Sequence, residues 1–151
     1  MSTTVDMSGD TLYVAGIVQA TAQGNLSGAL IPAYEYTTIQ LTSSSASQTV
    51  WMNTSVGGTY QIAGVTSSFG TASSSGTLQV EVATGTQAIG SGTNQLTGTI
   101  ALSGTANTPA SGTLVTTPTV IASGNRVNII IAGTMTSLAN AFVTIALQRV
   151  S

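Results

Sequence analysis

Apolar residues recur at every second position in short segments along most of this chain, and no helix-length window shows a 3.6-residue repeat. In TLQVEV, Leu78, Val80 and Val82 face one way and Gln79 and Glu81 the other. LTGTIAL places Leu96, Ile100 and Leu102 on one face, and TYQIAG does the same with Tyr60 and Ile62. RVNIII offers Val127, Ile129 and Ile131, and VTIALQR offers Val143, Ile145 and Leu147. Successive side chains of a strand point to opposite faces, so these segments are half-buried strands with Thr, Gln or Asn outside. The clusters SVGG, ASSSG, IGSGTN and ASGN lie between them and have turn composition. Strands at ~8–14-residue spacing without helical crossovers predict an all-β fold, an antiparallel β-sandwich or jelly roll. Pro109 and Pro118 would each remove a ladder donor, which places them in a loop and at a strand edge.

The regular alternation starts near Gln48, dividing the chain into residues 1–47 and a jelly-roll region, 48–151. The first part contains a strand-like TLYVAGIV, then QGNLSG, IPAYEYTTIQL and TSSSASQ. It is either extra strands of the same domain or an N-terminal arm that wraps a neighbour. PAYEY sets Tyr34 and Tyr36 around Glu35, and tyrosine is enriched at interfaces because its ring buries area while its hydroxyl finds a partner. An edge strand over the core accounts for the same residues.

Charge narrows the function classes. Only 4% of the 151 residues are charged, against about 25% in ordinary soluble domains. The mean hydropathy of +0.38 points toward a membrane, yet no apolar run approaches the ~20 residues of a spanning helix. The start, MSTTVDMSGD, has neither the basic cluster nor the apolar stretch of a signal peptide. Abundant β-branched residues argue against disorder. Two arginines and no lysine leave nothing for nucleic-acid binding by counterion release. A surface so poor in charge is either solvated through Ser and Thr or covered by neighbours in an assembly.

The same inventory argues against an enzyme. Histidine, lysine and cysteine are absent, which leaves Asp6, Asp10, Glu35 and Glu81 as candidate acids or bases. No spacing pairs them as a glycosidase would require, and Glu81 on the outer face of its strand is expected to be a solvated or interface charge. Asp6 and Asp10 in DMSGD have too few companions for a hard-cation site, so no metal and no cofactor is expected. Serine has no base partner, and neither a nucleophile elbow nor a phosphate-binding glycine loop occurs. NLS at Asn25 and NTS at Asn53 match the N-glycosylation triplet but carry no weight without a secretory route. Trp51, in TVWMN, either plugs one end of a sandwich or stacks on a sugar.

From about Gln48 onward three stretches carry a resemblance: TVWMNTSVGGTYQIAGV, GTLQVEVATGTQAIGSGT and VIASGNRVNIIIAGTMTSLANAFVTIALQRV. They resemble the jelly-roll module of tailed-bacteriophage capsid decoration (cement or head-fibre) proteins, which also occurs at the tips of some tail fibres. The middle stretch reads VEVATGT and departs from the family's usual Asn in that turn. The resemblance implies a homotrimeric structural protein of the virion's capsid exterior, made in the host cytoplasm. It implies contact with the major capsid protein and no catalytic residues. Some 47 residues before the jelly roll are too few for a fibre shaft, which favours decoration over a tail-fibre or carbohydrate-binding receptor module. A cell-surface glycan is the corresponding alternative partner, and a self-assembling pilus or surface-layer subunit a third class.

Arg126 and Arg149 complete the candidate interface with Tyr34, Glu35 and Tyr36. Arg126 opens the segment RVNIII, and its side chain is expected to meet a carboxylate or carbonyl nearby. If RVNIII and VTIALQR form a hairpin closed by TMTSLANA, both arginines fall at one edge and invite an acidic partner.

Overall fold

The alternating segments become strands in the computed structural model, which describes residues 34–150. In chain order they are β1 (Tyr34–Leu41), β2 (Gln48–Met52), β3 (Tyr60–Ser68), β4 (Thr77–Ala83) and β5 (Thr93–Asn94). The remainder are β6 (Ile100–Ala101), β7 (Ala110–Ser111), β8 (Arg126–Ala132) and β9 (Ala141–Arg149). One sheet has the order β1-β9-β3-β7, the other β2-β8-β4-β5 with β6 also on β4. Every pairing between these strands is antiparallel. Partners nest inward from the ends of the chain: β1 with β9, β2 with β8, β3 with β7, β4 with β5. Each step from β1 to β4 changes sheet. That nested, sheet-alternating order is a jelly roll, a route by which a β chain limits its exposed edges.

The two inner faces meet in one core. Ile62, Val65, Val143, Ile145 and Leu147 come from the first sheet, Leu78, Val80, Val82, Val127 and Ile129 from the second. Leu96, Ile100 and Leu102 are buried as their spacing predicts, while Ile131 is only partly buried. A bulge at Ala63 shifts the phase of β3, so its inward residues change from Tyr60 and Ile62 to Val65 and Ser67. A second bulge falls at Val50 in β2. Bulges of this kind bend a strand and re-aim its side chains.

Three expectations change. Residues 34–41 pair with β9 along their whole length, so of the two alternatives this part takes the extra strand, at the edge of the sandwich. The boundary placed between 47 and 48 therefore lies inside the domain, while TLYVAGIV, Asp6, Asp10 and Asn25 lie outside the described residues. RVNIII and VTIALQR do not form a hairpin: β8 pairs with β2 and β4, and β9 with β1 and β3. Residues 133–140 cross from one sheet to the other, and burial of Met135 and Leu138 makes that crossing part of the core. Finally, Glu81 is 1% exposed although it lies on the outer side of β4, because the loop after β4 folds back over that face.

Both prolines fall outside strands. Pro109 immediately precedes the short edge strand β7, and Pro118 sits in the irregular segment before β8, where its carbonyl accepts a hydrogen bond from Gln61. No helix of the described residues is long and apolar enough to cross a membrane.

Candidate interaction surface

Strand parity splits the PAYEY cluster between two environments. Tyr34 and Tyr36 lie on the outer face of β1, 46% and 69% exposed, with rings stacked at 6.4 Å and 30°. Glu35 points the other way, toward the open end of the sandwich, where it accepts a 2.7 Å hydrogen bond from the Tyr60 hydroxyl. That bond, with burial of the ring and the repulsion of a second negative charge, raises the Tyr60 pKa above 10.0. The positive charge of Arg149 works in the opposite direction. Arg149 sits opposite Tyr60 in the ladder, with its guanidinium beside Gly58. Trp51 enters from the other sheet and packs edge-on against Tyr60, ring centroids 5.2 Å apart. The structure thus brings Glu35 and Arg149 together around Tyr60 and places Trp51 as a plug of the core.

Next to this plug, Asn53 closes the β2–β3 connection. Its amide donates to the carbonyls of Gly58 and Ile121, and its oxygen accepts from the backbone and hydroxyl of Ser55. At 1% exposure, with both its amide and its oxygen engaged, this asparagine is not an accessible glycosylation acceptor in the folded domain.

Arg126 has a different setting. It lies on the second sheet, opposite Met52 and Ala83, and donates to the carbonyl of Gln87. The two arginines are at the same end of the sandwich, since residues 53–59 connect Met52 to Tyr60, but on opposite sheets. They do not form the two-arginine edge that a hairpin would have made.

Gln87 belongs to a loop that sequence spacing alone did not single out. Glu81 accepts from the backbone N–H of Gly90 at 2.8 Å and of Gly92 at 2.9 Å, and from the Asn128 amide at 2.8 Å. Asn128 in turn accepts from the Thr49 hydroxyl at 2.7 Å. Gln87 stiffens the loop from within, accepting from Thr84 and donating to the carbonyl of Ser91. An acidic residue in a strand, followed by a glycine-rich run, was the available signal. Carboxylate oxygens accept several bonds, and backbone N–H groups of glycine approach without a side chain in the way. Glu81 is therefore not the solvated charge that its strand position suggests: it anchors a loop.

The outer face of the first sheet is half-buried to exposed. Across β1, β9 and β3 its rows read Tyr34–Gln148–Gln61, Tyr36–Ala146–Gly64, Thr38–Thr144–Thr66 and Gln40–Phe142–Ser68. Thr38 and Thr144 share a 3.0 Å hydroxyl contact, and Thr66 continues to Ser111 on β7 at 3.3 Å. No charged residue occurs in these rows. A face of this kind leaves water without the desolvation cost that buried ions carry. Comparison of the chain with protein-family models, with curated proteins and with solved structures finds no match in any of the three.

Proposed function

We propose that the protein works by association rather than catalysis, as a homotrimeric decoration protein on the outside of a tailed-phage capsid. The observation that carries this reading is the charge-free outer face of the first sheet, with the stacked pair Tyr34 and Tyr36 at one end. Aromatic anchors on a flat neutral surface are what a protein interface uses at its centre. The trimer and the capsid come from the sequence resemblance, and the jelly-roll order is consistent with it. Each contact need be only modest, because three linked copies multiply weak attachments to a lattice. The carboxylates within the domain support the non-catalytic part: Glu35 is engaged by Tyr60 and Glu81 by a loop.

The deciding experiment measures the protein's mass in solution and its co-sedimentation with undecorated tailed-phage heads. A trimer that pellets with the heads supports the reading. A monomer that stays in the supernatant overturns it.

A further inference from the structure

A shallow groove of about 420 Å³ opens at the far end of the same sheet face, lined by Asn107, Pro109, Asn140 and Phe142 with Ser68 and Gly70. Its volume falls within the range typical of small-ligand sites, ~300–1,000 Å³. Phe142 is 44% exposed, leaving much of a large aromatic side chain open to water. Among the described residues, neither the Asn107 nor the Asn140 side-chain amide makes an intramolecular hydrogen bond.

The backbone around these groups is held in place. Asn107 and Asn140 adopt left-handed conformations, φ 58° and 50°, which asparagine tolerates better than most residues. The Asn107 N–H donates to the Phe69 carbonyl at 2.8 Å, and the Gly70 N–H donates to the carbonyls of Ala139 and Asn140. Gly70 also makes room for the Asn140 side chain: a Cβ there would lie 3.2 Å from the Asn140 Cβ and 3.3 Å from its amide nitrogen. Both asparagines are exposed, so their amides are presented to solvent from a bonded backbone frame.

We infer that this groove binds a neutral saccharide. An amide both donates and accepts, which matches a sugar hydroxyl, and a partly open aromatic ring matches the apolar C–H face of a pyranose. No lining residue is charged, so an ionic ligand finds no counter-ion. A peptide added as a strand finds no free ladder edge at Phe142, because β9 lies between β1 and β3, and Pro109 offers no N–H. The groove is separate from the tyrosine pair. Phe142 pairs with Gln40, six residues along β1 from Tyr34, or roughly 20 Å at strand spacing. The groove shares Phe142 and Ser68 with the outer face of the first sheet, but its assignment does not use the capsid reading.

The test titrates maltotriose, cellotriose and chitotriose into the isotopically labelled full-length protein and follows amide and ring signals. At least one probe is expected to shift the signals of Asn107, Asn140 and Phe142, with a dissociation constant of about 10 mM or tighter. Phe142→Ala is expected to weaken that binding about tenfold or more. Phe142→Leu keeps an apolar side chain but loses the ring, and gives the same readout should the alanine variant fold poorly. Absence of shifts with all three sugars at ~20 mM overturns the assignment. So do shifts that persist unchanged when the ring is removed.

Discussion

Glu81 and Asn128 stand directly opposite each other on β4 and β8, both essentially inaccessible to water, joined by a 2.8 Å hydrogen bond on the outer side of their sheet. Their strands place them outside, and the loop carrying Gly90 and Gly92 encloses them. A buried carboxylate is tolerated when its oxygens are met by donors, and here two backbone N–H groups and one amide meet it. The consequence is structural: the loop after β4 is tied to the sheet at Glu81 and again at Arg126.

Glu81→Gln should destabilise the domain. Whichever way the new amide turns, its NH2 faces a backbone donor where an oxygen had accepted. The expected loss is ~1–3 kcal/mol, seen as a lower urea midpoint with unchanged slope. Amide exchange should quicken first at Gly90 and Gly92, and unchanged exchange there would show that Glu81 does not hold the loop.

Gly133→Ala should cost more than Gly98→Ala. Gly133 has φ +76°, and a Cβ there would run into the carbonyl oxygen of Ser75, whereas a Cβ at Gly98 meets nothing within 4 Å. The difference should reach ~2 kcal/mol or more in equilibrium unfolding, because backbone conformation and contact oppose the same substitution. Equal midpoints for the two variants would mean that the crossing from β8 to β9 is free to rearrange.

Tyr60 should titrate above the ordinary tyrosine value of 10.0, chiefly because its hydroxyl donates to Glu35. A proton held more tightly in the folded state than in the unfolded chain contributes stability that is fully present below the unfolded value. That contribution disappears as pH rises from about 10 through the higher folded value. Glu35→Gln retains an acceptor but removes the charge, so ultraviolet titration should find the Tyr60 transition at lower pH. An unmoved transition would separate Tyr60 from Glu35.

Replacing Tyr34 and Tyr36 together by Ser should weaken self-association or capsid binding about tenfold or more while leaving the thermal transition nearly unchanged. Both side chains are substantially exposed in the single chain, so folding loses little. Binding of the unaltered protein should vary little between ~0.05 and ~0.5 M salt, since the face has no charges to screen. Steep salt dependence measured by sedimentation would point to a different surface.

The alternation of Leu78, Val80 and Val82, and of Val143, Ile145 and Leu147, was enough to identify strands and their inward faces, and those residues form the core. Periodicity also put Glu81 and Asn128 on the outer side of their strands, but it carries no information about a loop returning over that side. The bulge at Ala63 shows a related limit, since one extra residue reverses the phase while leaving the local composition unchanged. For the candidate interface, spacing marked Tyr34, Glu35 and Tyr36 as a cluster. Pairing with β9 then separated them, with two rings outward and the carboxylate against Tyr60.

By itself the sequence determined an all-β body, the apolar residues inside it and the scarcity of groups able to do acid–base chemistry. These follow from local stereochemistry and residue type, which do not depend on which strands become neighbours. Tertiary structure alone decided that β8 and β9 belong to different sheets, that Arg126 and Arg149 work apart, and that Glu81 is enclosed. Those outcomes depend on contacts between segments far apart in the chain, where burial and hydrogen bonding are settled by the partner rather than by the segment.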